Sequence, residues 1–130
     1  MKKIISTVLI CILLLGCILA LASCGVPSSD PKEAKAALEE EGYTVELREN
    51  NNGCVATIYA YYNNVKEKKF DEIEIFYYKD EAAAQKAWET KEKSYEDEKE
   101  SKKDTDFKIQ YGIKETVIYK GTVDAVKAAK

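Results

Sequence analysis

Over residues 43–49 and 70–78 the side chains alternate with a period of two, which commits these stretches to β-structure. Tyr43, Val45 and Leu47 alternate with Thr44, Glu46 and Arg48 over residues 43–49, and residues 54–62 continue in strand-forming types. The intervening Asn50-Asn51-Asn52-Gly53 tolerates positive φ, so a hairpin is predicted there. After the polar residues 63–69, a third strand is expected over 70–78, where Ile73, Ile75 and Tyr77 alternate with Glu72, Glu74, Phe76 and Tyr78.

Helix signals flank these strands. Asp30 can cap, Pro31 suits the first helical position, Glu33 completes a capping box, and Gly42 stands where a left-handed residue ends a helix, so a helix is predicted over 31–41. A second helix begins after the N-cap Asp80 and places Ala84, Ala87, Trp88 and Tyr95 on roughly one face, with Trp88 as its anchor. Of the 18 residues 89–106, 13 are charged, and Glu89 with Lys93 and Glu98 with Lys102 fall at helical spacing; this reads as a solvated helix end running into a loop. Two further strands are predicted over 107–113 and 116–120, then a short helix to Ala129. Ile75-Phe76-Tyr77 before Asp80 is echoed by Val117-Ile118-Tyr119 before Thr122; shared packing demands account for this more simply than a repeat.

The order α-β-β-β-α-β-β-α predicts an α+β domain: an antiparallel sheet of about five strands with helices packed on one face. The face toward the helices is then Val45, Leu47, Ala56, Ile58, Ala60, Ile73, Ile75, Ile109 and Val117. Alternation sends Tyr59, Tyr61, Phe76, Tyr78 and Ile118 outward, flanked by Glu46, Arg48, Glu72, Glu74 and Lys108.

Residues 1–23 are read apart from this domain. Lys2 and Lys3 precede an apolar run over 4–22, which closes on Leu21-Ala22-Ser23-Cys24. This resembles the lipobox of bacterial lipoproteins. The resemblance implies that residues 1–23 are a signal peptide, that the Cys24 thiol receives a diacylglyceryl group carrying palmitate-type chains, and that the protein is a lipid-anchored lipoprotein on the extracytoplasmic side of the cell membrane. Residues 24–29 would then be the lipidated cysteine and a short linker spanning at most about 17 Å, and residues 30–130 the single domain. An uncleaved membrane anchor or an ordinary signal peptide are the competing readings.

Without the leader, 107 residues remain, with 18 basic and 23 acidic side chains. Only 18 of them are Leu, Ile, Val or Phe, a poverty that points toward disorder unless the nine tyrosines and one tryptophan build the core. Cys54 is left without an intramolecular partner and reads as a small buried strand residue.

The chain contains no histidine, which removes Ser-His-Asp and Cys-His catalysis and imidazole metal sites. Asp104-Thr105-Asp106 lacks the glycine and distal glutamate of a calcium loop. No phosphate-binding glycine loop occurs, and the acidic balance argues against nucleic acid; neither cofactor nor metal is expected. Glu72 and Glu74 on one side of a strand could form a carboxylate pair, but that chemistry needs a cleft and one raised pKa. Arg48, the single arginine, could clamp an anion, yet beside Glu46 it reads as a surface ion pair.

What stands out is the outward aromatic face. Tyr59, Tyr61, Phe76 and Tyr78 with Arg48 form a candidate surface for an envelope protein, a peptide or a glycan, because tyrosine joins a large contact area to a hydroxyl. The same residues could instead be cross-strand pairs that stabilise the sheet. The expected function is a non-catalytic binding module; the alternative is a small histidine-independent hydrolase or transferase of the envelope, which needs Glu46, Glu72, Glu74 and Arg48 in a pocket.

Overall fold

The computed structural model describes residues 25–130. The segment expected to be a signal peptide and lipobox, residues 1–24, lies outside the described residues. Helix α1 (Pro31–Glu40) is followed by β1 (Thr44–Asn51), β2 (Cys54–Asn64), β3 (Lys69–Tyr77), α2 (Glu81–Ser101), β4 (Ile109–Lys114), β5 (Val117–Thr122) and α3 (Val123–Ala128). The five strands form one antiparallel sheet in the order β1-β2-β3-β5-β4, and the domain is α+β. Among the described residues, no helix is long and apolar enough to cross a membrane.

Local chemistry explains the boundaries of α1. Asp30 accepts a hydrogen bond from the Lys32 amide at 2.8 Å, and Pro31 occupies the first turn. The expected capping box does not close: the Glu33 carboxylate accepts from the Ser28 hydroxyl instead, at 3.0 Å. At the other end Gly42 takes φ 90°, its amide donates to Glu39 and the Tyr43 amide donates to Leu38, the paired bonds of a Schellman stop. The β1–β2 turn uses Asn50, Asn52 and Gly53, all at positive φ.

The main core lies between the sheet and helices α1 and α3. Ala34 and Leu38 of α1, and Ala125 and Val126 of α3, meet Ala56, Ile58, Ala60, Ile73, Ile75, Tyr77, Val117 and Tyr119. Small residues on β2 let α1 approach closely. Gly121 does the same within the sheet, since a Cβ there would stand 2.6 Å from the Glu72 carbonyl oxygen.

Helix α2 departs from the expected single layer and packs across the opposite face, over β4 and β5. Its Trp88 and Tyr95 rings form a cluster with Tyr111 of β4, at centroid separations of 5.9–6.3 Å. Ala84 and Tyr95 are buried while Trp88 is half-buried, so the tryptophan shares its expected anchoring role. The helix runs on through the charged stretch to Ser101, because Glu98 pairs with both Lys102, at 2.9 Å, and Lys120 of β5, at 2.8 Å.

Two placements change with it. Ile118 is fully buried under α2 rather than outward on an open face. Ile109 pairs with Thr122, on the same side as Ile118, and so belongs to the α2 side rather than the α1 side. The echoed segments turn out to be neighbours: Ile75 faces Tyr119, Phe76 faces Ile118 and Tyr77 faces Val117, each segment leading into a helix.

The segment expected to be a linker is docked onto the domain. Pro27 is buried, Val26 packs against the core, the Ser28 amide donates to the Ala129 carbonyl at 2.8 Å, and the Tyr77 hydroxyl donates to the Ser28 carbonyl at 2.9 Å.

Candidate functional site

Because α2 covers only the β4–β5 side of its face, the β1–β3 side is left open. Strand register builds it in rows: Thr44, Tyr61 and Glu72; then Glu46, Tyr59 and Glu74; then Arg48, Thr57 and Phe76. Tyr59 and Tyr61 are 39% and 40% exposed, and their rings lie 6.1 Å apart in a tilted pair. Exposure at this level leaves ring surface available to a second molecule.

The charges around the rings are ordered. Arg48 and Glu46 form a salt bridge of 2.7 Å, as their spacing predicted. The Tyr59 hydroxyl donates to Glu72 at 3.5 Å. Partial burial and the Glu72 charge raise the Tyr59 hydroxyl above its ordinary range, so it stays a donor. Glu74 reaches Lys120 at 3.7 Å. Burial opposes the Lys120 charge, but its hydrogen bond to Glu98 and the nearby Glu74 outweigh that and raise it overall. A shallow cleft of about 280 Å³ is lined by Glu46, Arg48, Thr57, Tyr59, Glu74 and Phe76.

The structure therefore brings together Arg48, Tyr59, Tyr61 and Phe76 with Glu46, Glu72 and Glu74. Phe76 is half-buried, with the Lys91 ammonium 4.3 Å from its ring centre. Tyr78 sits apart and half-buried; burial and the adjacent Cys54 thiol push its hydroxyl up. Lys108 is exposed but hydrogen bonds toward the Lys103 carbonyl, away from this surface. Cys54 is buried and free. The carboxylates that an enzymatic reading requires are each engaged by a cation or a hydroxyl in an open cleft, and none lies in an enclosed pocket.

The wall supplied by α2 was not anticipated. Trp88, Lys91, Tyr95, Glu98 and Lys102 recur at three- and four-residue spacing, a mixed aromatic and charged stripe that marks the buried side of a helix lying over polar sheet residues. A second cavity, of about 370 Å³, lies on the α1–α3 face between Tyr43, Tyr62, Lys69 and Asp124. There Lys69 bridges Asp124 at 3.1 Å and the buried Asp71 at 3.6 Å, fastening α3 to β3. Among the described residues no group of three or more Cys, Asp or Glu could hold a metal ion.

Comparison with family models, with curated proteins and with solved structures finds no match to this chain.

Proposed function

We propose that the protein is a bacterial lipoprotein, anchored through lipid on Cys24 at the extracytoplasmic side of the cell membrane, whose domain binds an envelope protein or peptide on the open half of its sheet. The single observation that carries the binding reading is the exposed Tyr59–Tyr61 pair beside a helix that stops short of covering it. Beside the two rings Glu46 is paired with Arg48 and Glu74 with Lys120, while Glu72 is met by the Tyr59 hydroxyl and, among the described residues, by no cation. Glu72 thus favours a segment bearing lysine or arginine, whose cations pack on tyrosine faces and pair with carboxylates. The lipobox sequence supports the anchoring, and one lipid group with two acyl chains is enough to hold the protein.

Titration of the mature protein with a short lysine- and arginine-rich peptide, followed by NMR, tests the binding reading. Shifts are expected at Tyr59, Tyr61 and Glu72, and they should vanish in a Tyr59→Ser/Tyr61→Ser variant whose urea midpoint is unchanged. Shifts elsewhere, or an unfolded double variant, would show that the two rings serve the sheet alone. Anchoring has its own test: Cys24→Ala should abolish the diacylglyceryl mass and membrane retention.

A further inference from the structure

We infer that the β4–α3 side of the domain is a membrane-docking surface for anionic lipid headgroups, which holds the Tyr59–Tyr61 face outward; the inference rests on the lipid anchor proposed at Cys24. The first support is the docked N-terminal segment. Gln110 of β4 donates to the Gly25 carbonyl at 3.4 Å, and Ser28 is fixed to Ala129 and Tyr77. With Gly25 held against β4, a lipid on the residue before it would tether the domain by its β4 side.

The second support is charge. Among residues 107–130, which form β4, β5 and α3, Lys108, Lys114, Lys127 and Lys130 stand against Glu115 and Asp124, while Lys120 is held by Glu98 and Glu74 on the α2 face. Residues 30–51, which form α1 and β1, carry seven carboxylates against three basic side chains. Lys114 and Lys130, with Glu115 between them in the lining, face the cleft beside the docked segment. Helix α2 is acidic as well, but it covers the opposite face of β4 and β5. Repulsion of α1 and of α2 from anionic lipid thus tips the molecule onto its basic corner.

Sheet order gives the consequence for the binding face. Tyr59 and Tyr61 are on β2, three strand spacings from β4, roughly 14 Å at the usual interstrand distance, and they lie on the face opposite the docked segment. The partner is therefore met on the face turned away from the docked segment, toward the β1 side of the sheet.

Amine acylation of the native lipoprotein, read by mass spectrometry in vesicles of phosphatidylcholine with and without phosphatidylglycerol, tests this without any substitution. Lys108 and Lys114, at the two ends of β4, and Lys130 should be labelled roughly fivefold more slowly in the anionic vesicles, an effect that high salt reverses. Lys32 and Lys35, beside β1, should label equally in both. Equal protection of all five lysines, or protection of Lys32 and Lys35 instead, overturns the orientation. An N-terminal peptide without the diacylglyceryl mass, or protein that fails to sediment with vesicles, overturns the anchor and the orientation with it, and is read from a different signal.

Discussion

Replacing Tyr77 with Phe should make the protein less stable at neutral pH and more stable at high pH. Tyr77 is 3% exposed, and its hydroxyl donates to the Ser28 carbonyl at 2.9 Å. Losing that bond costs about 1 kcal/mol, the usual net worth of a hydrogen bond in a folded protein. Burial, aided by the charge of Asp30, pushes the Tyr77 hydroxyl far above its ordinary 10.0. The folded state therefore keeps this proton to higher pH than the unfolded chain does. Stability from Tyr77 is complete below pH 10 and falls as pH rises past it, because only the unfolded chain gains by ionising. At about pH 11 the unfolded tyrosine is some ten-elevenths ionised, which costs the wild type about 1.4 kcal/mol. Phenylalanine escapes that loss, so the two stability curves should cross near about pH 10.6. Urea unfolding monitored by far-ultraviolet circular dichroism at a series of pH values measures both limbs. Curves that run parallel from neutral to alkaline pH would refute the placement of the Tyr77 hydroxyl in a dry contact with Ser28.

Gly121→Ala should lower the urea midpoint by the equivalent of about 1–3 kcal/mol, because the new Cβ meets the backbone of Glu72 and Ile73 at 2.6–2.9 Å; an unchanged midpoint would mean that β3 and β5 can part at no cost. Leu38→Ala empties a fully buried position under α1 and should cost about 2–5 kcal/mol, again read from the midpoint. Burial opposes ionisation of Glu98, but hydrogen bonds from Lys120 and Lys102 prevail and hold it below its ordinary 4.5. Its contribution is present above that value and is lost as pH falls through the lowered one, so Glu98→Gln should flatten the acid limb of the stability profile; an identical acid limb would show that the three side chains are not coupled.

The sheet was legible because its signals are local. Alternation in residues 43–49 and 70–78, the Asn-Gly turn and the Gly42 stop each depend on a few neighbours, and each appears where expected. The open Tyr59 and Tyr61 follow from the same alternation. The side taken by α2 was not legible. Val117, Ile118 and Tyr119 are buried on both faces of β5, and such a continuous apolar run carries no period by which to tell one face from the other. The helix above it offers few apolar side chains, and its contacts run through Glu98, Lys91 and three aromatic rings, so a binary pattern reads it as solvated. Residues 25–29 misled for a different reason: their small, polar composition is that of a linker, whereas Ser28 is held by partners about fifty and a hundred positions away.

Strand β5 lies between β3 and β4, although it is the last strand of the chain. Until Val117–Thr122 has emerged, β3 presents a bare row of amides and carbonyls, and α2 has no second strand beneath it. A chain that has emerged only as far as β3 thus has its first three strands able to pair and its sheet still open. Closure waits for β5, so a chain that ends before it is a template for edge-to-edge aggregation rather than a smaller version of the domain.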